Sequence, residues 1–351
     1  MEPDFRINNI LRPLGWIYGT LTSLRNRRFD RHPDMSASFP VPVISIGNIT
    51  VGGTGKTPHT EYIVSLIKDK YPTAVLSRGY GRCTHGYILA QPQSQSSTIG
   101  DEPLQIATRF PDIDVAVCED RATGIRNLLR TRMPRVILLD DAFQHRKVKP
   151  SLNILLVNYN RNILSDAMLP AGRLRESASG RSRAHIIIVT KCPQALSAQA
   201  MDTLEAQLKV NAAQEVYFST LEYGSLYALD GNSTPPATDV PVLIVSGIAD
   251  PTQLEAQVRS RFSSVDMISF PDHHRFTTRD IRLIEQRLES MPDDAVIITT
   301  AKDAARMQDI RLSGQLRARI FVLPVKPRML RSSELFDSTI LNHIETFGKP
   351  Q

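Results

Sequence analysis

The stretch that most constrains this chain is Gly47-Asn48-Ile49-Thr50-Val51-Gly52-Gly53-Thr54-Gly55-Lys56-Thr57. It lies between an apolar run, Val41–Ile46, and a helical pattern, Thr57–Lys70. A strand, a glycine-rich loop and a helix in that order make a phosphate-binding loop. Glycines let successive backbone N–H groups wrap the phosphates, and the helix N-terminus adds positive potential. Gly52, Gly53, Thr54 and Gly55 form the expected cradle. Lys56 is placed to reach the β and γ phosphates, and the Thr57 hydroxyl to hold Mg²⁺. The strict pattern asks for glycine at position 50, where Thr50 stands; the later glycines supply the flexibility instead.

The loop heads a long α/β alternation. Val41–Ile46, Thr73–Ser77, Asp114–Cys118, Val136–Leu139, Asn153–Val157 and Ile186–Thr190 are nearly continuous apolar runs, as expected of parallel strands buried on both faces. Helical patterns such as Arg121–Arg132 separate several of them, which predicts a doubly wound, mostly parallel sheet of the P-loop NTPase type. A polar break at Gly231–Asp239 contains Pro235-Pro236 and reads as a linker. Beyond it the alternation resumes in a smaller α/β region that ends in a helix from Ser333. The expected organisation is an N-terminal helix over 1–32, a P-loop domain over 33–225, a linker over 226–240 and a smaller C-terminal domain over 241–351. With 351 residues, 41% hydrophobic and 22% charged, the chain suits about two globular domains rather than a disordered or fibrous one.

Charge and cysteine content narrow the class further. A net charge of +6 suits anionic partners without choosing among them. Cys83, Cys118 and Cys192 are widely spaced and form no CxxC pair, which argues against zinc and against a secreted disulfide framework. No apolar run approaches the length of a membrane-spanning helix, and Met1–Arg6 does not begin like a signal peptide. Residues 1–32 carry six arginines against three acids, with Leu14, Ile17, Tyr18, Leu21 and Leu24 at helical spacing beside Trp16. That pattern fits either a helix in a membrane interface or an amphipathic helix docked on the core.

Several polar clusters follow strands. Val136–Leu139 ends in Asp140-Asp141, which delivers carboxylates to the sheet edge where nucleotides bind and where one would hold Mg²⁺. Asp101, in Gly100-Asp101-Glu102-Pro103, fits either a helix cap or a chemical role. Four arginines face one glutamate over 170–184, a basic loop suited to a phosphorylated substrate or simply to solvent. Asp272-His273-His274 suggests acid–base work.

In order along the chain these segments resemble the tetraacyldisaccharide 4′-kinase family, the lipid A 4′-kinases of Gram-negative bacteria. The matching segments are Gly47–Pro58, Ser77–Gly81, Gly100–Pro103, Asp120–Gly124, Asp140–Arg146, Leu169–Glu176, Phe270–His274 and Thr299–Ala304, together with the N-terminal helix. One departure is Ala142, where the family often has glycine. The resemblance implies ATP- and Mg²⁺-dependent phosphorylation of the 4′-hydroxyl of tetraacyldisaccharide 1-phosphate, giving lipid IVA. It also implies a peripheral enzyme on the cytoplasmic face of the inner membrane, with no nucleic-acid partner and no expected oligomer. In that light the N-terminal helix reads as the membrane-facing element.

The resemblance further assigns catalytic roles to Lys56, Asp101, Arg121, Arg175 and His273. It adds Tyr80 to the nucleotide contacts of Gly52–Thr57, and Glu102 to the metal set of Thr57, Asp140 and Asp141. Asp101 is the expected base and His273 its partner, with His274 the alternative. Competing functions are a P-loop switch or metallochaperone NTPase and a soluble small-molecule kinase. Against the first, Cys192-Pro193 stand where a base-reading aspartate would follow Ile186–Lys191.

Overall fold

The computed structural model describes residues 7–248, 250–272 and 274–349, and its architecture follows from the apolar runs. The first eight strands are β1 (Val43–Gly47), β2 (Thr73–Ser77), β3 (Ile88–Leu89), β4 (Asp114–Val117), β5 (Val136–Asp140), β6 (Leu152–Asn158), β7 (Ile186–Thr190) and β8 (Glu215–Tyr223). A second group comprises β9 (Tyr227–Ala228), β10 (Val242–Ser246), β11 (Val265–Ser269), β12 (Val296–Thr300) and β13 (Ile320–Leu323), and β14 (Val325–Met329) follows. The helices are α1 (Arg12–Arg31), α2 (Lys56–Ile67), α3 (Ser96–Ile99), α4 (Asp101–Arg109), α5 (Arg121–Thr131), α6 (Ala198–Leu208), α7 (Thr252–Arg259), α8 (Thr278–Glu289), α9 (Ala301–Met307), α10 (Gly314–Ala318) and α11 (Ser333–Thr346).

The large sheet has the order β14-β8-β7-β6-β1-β5-β2-β4-β3. Its seven central strands are parallel, and every residue of β1, β2, β5, β6 and β7 is buried, because helices and loops cover both faces. The small sheet has the order β11-β10-β12-β13-β9 and is parallel apart from the β13–β9 pair. β1 sits beside β5, with Ile46 in register with Asp140, so the phosphate loop leaves the sheet next to the carboxylates.

Two segments depart from the expected organisation. The stretch read as a linker contains β9, which completes the edge of the small sheet against β13. The chain end also does not stay with the smaller region: β14 returns to pair with β8 in the large sheet, and α11 packs against the same core. β14 reads Val-Lys-Pro-Arg-Met; as an antiparallel edge strand it tolerates the proline and charges that hid it from a search for apolar runs. α11 seats Phe336, fully buried, edge-on to Tyr217 at 5.0 Å between ring centroids, and Tyr62 of α2 donates to Asp337 at 2.7 Å. The phosphate-loop helix is thus held by the last helix of the chain.

α1 forms as the sequence predicts, with Pro13 in its first turn. It is held on one edge only: Gly15 packs so closely on the Met168 carbonyl that a Cβ would lie at 2.9 Å, Phe29 is buried, and Asn26 donates to Glu176. The apolar stripe is not the docking edge. Leu14, Trp16, Ile17, Leu21 and Leu24 are all more than half exposed. No helix among the described residues is long and apolar enough to cross a membrane.

Phe336→Ala should lower the stability of the large domain by about 3–5 kcal/mol, since it empties a filled aromatic site. A denaturant titration followed by circular dichroism measures this, and a loss below about 1 kcal/mol would show that α11 does not hold the core.

Candidate active site

The phosphate loop is built by three local constraints. Gly47 ends β1 against the Phe143 backbone, where a Cβ would sit 2.9 Å from the Phe143 nitrogen. Gly52 and Gly55 adopt φ of 97° and 82°, left-handed values that side-chain-bearing residues avoid. Thr50 is buried and bridged to Leu174, and the Val51 N–H donates to the Arg173 carbonyl. Position 50 is therefore paired backbone rather than a turn, so no glycine is required there. The loop curls over its own brace: Asn48 donates to the Thr54 hydroxyl at 2.8 Å, and Thr190 donates to the Thr54 carbonyl at 2.9 Å. The Thr54 side chain consequently faces the protein, away from the cavity. His59, fully buried, donates through Nδ1 to the Gly55 carbonyl, and burial pulls its pKa down to about 4, so it is neutral.

Lys56 and Thr57 open α2, as predicted. The Lys56 ammonium lies 3.7 Å from an Asp141 oxygen. Asp141 occupies a left-handed conformation, φ 48°, and accepts two 3.1 Å contacts from Arg175. The left-handed residue of this turn is Asp141, so Ala142 needs no glycine's freedom. Asp140 is fully buried. One of its oxygens accepts from Thr60 at 3.1 Å, and the other is buried with no hydrogen-bond partner. Burial raises its pKa, and the charges of Glu102 and Asp141 raise it further.

An orphaned carboxylate oxygen beside a phosphate loop fits a hard divalent cation. Among the described residues no group of three or more His, Cys, Asp or Glu is arranged to hold a metal by itself. A magnesium site here would be completed by phosphate oxygens and water, as is usual for this ion.

Arg121 is buried at the start of α5. It donates to the Cys118 carbonyl at 2.9 Å, and its Nε is buried without a hydrogen-bond partner. Burial lowers its pKa to about 10, opposed by Asp141 and Asp140, so it stays a cation aimed at the carboxylate end of the sheet. Glu102 and the exposed Tyr80 line the same cavity, which measures about 870 Å³ and also takes in Gly52, Gly53, Lys56, Asp141 and Arg175.

Asp101 is not a cap. Gly100 holds the cap position at φ 92°, and Asp101 is the first residue of α4. Its carboxylate accepts a 2.7 Å bond from Arg306, on α9 beside the small sheet. His273 lies outside the described residues. His274 is engaged locally, stacked on Phe270 at 4.6 Å and bonded to Asp280 at 3.0 Å.

Sequence reasoning missed three basic residues. Arg161 lies across Gly52 and donates to the Val51 carbonyl, and Lys191 comes close to Gly53. Lys191 had a legible signal, a cation directly after the apolar strand Ile186–Thr190. Arg161 and Arg306 had none, since each reaches the site from a part of the chain remote in sequence.

With this geometry in view, the relatives are informative. The family model described as tetraacyldisaccharide-1-P 4'-kinase matches residues 7–345. The chain belongs to the tetraacyldisaccharide-1-P 4'-kinase family. It is 45% identical over 350 residues to the tetraacyldisaccharide 4'-kinase of Phocaeicola vulgatus, covering 97% of this chain and 96% of the relative. It is 43% identical over 360 residues to the kinase of the same name from Bacteroides thetaiotaomicron, covering 98% and 95%. A solved structure from Aquifex aeolicus, described as "apo" form LpxK in complex with ATP, superposes with a TM-score of 0.74 at 28% identity, covering 95% of this chain and 98% of that one. The fold is that of a kinase of this family.

Replacing Lys56 with alanine should reduce turnover by at least on the order of a hundredfold, because it removes the charge that positions the transferred phosphoryl group. Steady-state kinetics on folded protein tests this, and turnover within about tenfold of the parent would remove Lys56 from that role. Asp140→Asn and Asp141→Asn should each raise the Mg²⁺ concentration needed for half-maximal rate. An unchanged Mg²⁺ dependence in both would place the metal elsewhere.

Proposed function

We propose that this chain transfers the γ-phosphoryl group of ATP to the 4′-hydroxyl of tetraacyldisaccharide 1-phosphate in lipid A biosynthesis. One observation carries the reading: α1 joins a lipid-compatible surface to the phosphoryl-transfer cavity. Tyr18, Thr22, Arg25 and Asn26 of α1 line the cavity with Gly52, Lys56 and Arg175, while Leu14, Ile17, Leu21 and Leu24 of the same helix face outward. A substrate with acyl chains in a bilayer and a sugar hydroxyl to be phosphorylated needs both surfaces at once. A soluble small-molecule kinase has no use for the second.

In this reading Gly52, Gly53 and the start of α2 hold the β and γ phosphates by backbone N–H groups. Lys56 leaves Asp141 for the γ phosphate, and Arg175 and Arg121 face the charge that spreads over it during transfer. Asp140, with Thr57, Asp141 and Glu102 nearby, would hold Mg²⁺, which when bound would supply positive charge against the phosphates. Asp101, beside Arg306 at the start of α4, accepts the proton of the 4′-hydroxyl as the new P–O bond forms and the bond to the departing ADP breaks. His273 is its proposed partner, since His274 is already bonded to Asp280. α1 rests in the headgroup layer on the cytoplasmic face of the inner membrane, with its arginines toward anionic lipid.

Incubating the protein with labelled ATP and the tetraacylated disaccharide 1-phosphate should transfer label to the lipid. No transfer under conditions where ATP binds would defeat the assignment. Asp101→Ala and His273→Ala should each lose on the order of a hundredfold in kcat, and the double variant little more, because the two act as one unit.

The membrane arm is tested separately. Trp16 fluorescence should shift to the blue on adding anionic vesicles, and salt should weaken the shift by screening the arginines. The absence of a shift at low salt would leave α1 a docked helix and nothing more.

A further inference from the structure

The segment Thr299–Ala304 matches the family in sequence but has no part in the chemistry so far. Its surroundings give it one. Arg306, two residues beyond, has a side chain only 2% exposed and lies between two carboxylates. Its Nε donates to Asp101 at 2.7 Å, and its Nη1 donates to Asp303 and to the Gly247 carbonyl, both at 2.9 Å. Asp303 is fully buried and is itself fixed: its second oxygen accepts from the Gly247 N–H at 3.0 Å and from Thr300 at 2.8 Å. The guanidinium therefore reaches Asp101 already oriented by two partners of the small-sheet region, Asp303 and the Gly247 carbonyl. Lys302, in the same segment, lines the cavity and lies 3.7 Å from Asp272.

Docking alone does not account for this cluster. The joint between α9 and α3–α4 has its own apolar seat, where Ala305 packs with Ile99 and Leu104. It also has a second polar contact, in which the Ser96 backbone donates to Asp309 at 3.0 Å. A buried ion pair adds little net stability beyond what apolar residues of the same size would give, because both charges lose water. What it supplies is direction, since a planar guanidinium held on one side presents its Nε in one place.

We propose that Arg306 is a positioning residue for Asp101, aimed by Asp303, so that the carboxylate is held for proton transfer only when the small-sheet region is seated on α4. The proposal rests on the reading of Asp101 as the base. It makes the second region part of the catalytic geometry through a residue that never touches substrate, and it explains why the Thr300–Asp303 turn is built as it is.

The test uses the full-length enzyme with ATP and the tetraacylated disaccharide 1-phosphate. Arg306→Ala should lower kcat on the order of a hundredfold while the KM for each substrate moves only a few-fold. Millimolar guanidinium should restore part of that rate in Arg306→Ala and none in Asp101→Asn. Asp309→Asn, which weakens the same joint without touching Asp101, should keep kcat within about threefold. If Arg306→Ala does not fold, Arg306→Ala combined with Asp303→Asn removes both buried charges, and Arg306→Lys keeps both; both variants should remain slow, the lysine variant less so.

A folded Arg306→Ala enzyme with near-parent kcat beside an inactive Asp101→Asn would overturn the proposal and leave the base in place. Equal losses in Arg306→Ala and Asp309→Asn without guanidinium rescue would also overturn it, since that is the signature of docking. An active Asp101→Asn would instead overturn the reading of Asp101 itself.

Discussion

The parallel pairing of β1 with β5 is the contact on which the rest of this molecule depends. Ile46 in register with Asp140 brings two parallel strand ends to one edge of the sheet, so that the residues after the glycine loop meet the acid pair, Lys56 lying 3.7 Å from Asp141. Each half needs the other. Backbone N–H groups and Lys56 gather negative charge, and carboxylates at the same point would repel it without a cation between them. The buried, unpartnered oxygen of Asp140 shows the unbalanced side of that arrangement, with burial and neighbouring acids raising its pKa. The Lys56–Asp141 contact shows the balanced side, a cation and an anion resting on each other.

Around that edge the protein closes a cavity from three directions, and each wall is held by specific contacts. α1 is tied down through Gly15, Phe29 and the Asn26–Glu176 bond, and Glu176 also accepts from Arg183 and Gln144. That arrangement leaves Leu14, Trp16, Ile17, Leu21 and Leu24 exposed along one face of the helix. The small-sheet region is tied to α4 by the Arg306–Asp101 pair and an apolar seat. Below, α2 packs between its own sheet and α11 in the same core cluster as β5. The chain returns to the large sheet at β14 and α11, which makes the two sheets a nested pair rather than beads on a string. A change in how the small sheet sits is therefore felt at both of its connections to the large one.

Much of this was legible in the residues. Local chemistry announces itself in sequence: Gly52, Gly55 and Lys56 specify the loop because glycine adopts those left-handed dihedrals without strain and lysine supplies the charge, and the apolar runs specify buried parallel strands. Asp140-Asp141 at a strand end, and the apolar stripe of Leu14, Ile17, Leu21 and Leu24 on α1, belong to the same class, since each is a pattern within one element. Four strands escaped: β3 and β9 are only two residues long, β14 is an edge strand carrying charges and a proline, and β8, Glu215–Tyr223, mixes polar with apolar residues and so shows no continuous apolar run.

Only the tertiary structure decided which residues meet. That Thr50 needs no glycine depends on Leu174, more than a hundred residues away. That Asp101 is an acceptor for a buried arginine instead of a helix cap depends on Arg306, and that His274 is occupied depends on Asp280. That the stripe on α1 faces outward depends on which edge of the helix Met168 and Glu176 happen to grip. Sequence fixes the preferences of each segment, because backbone dihedrals, helix starts and hydrophobic period are local. Long-range pairing of charges and close packing of backbones arise when segments distant in the chain are brought together, and no spacing along the chain records that distance.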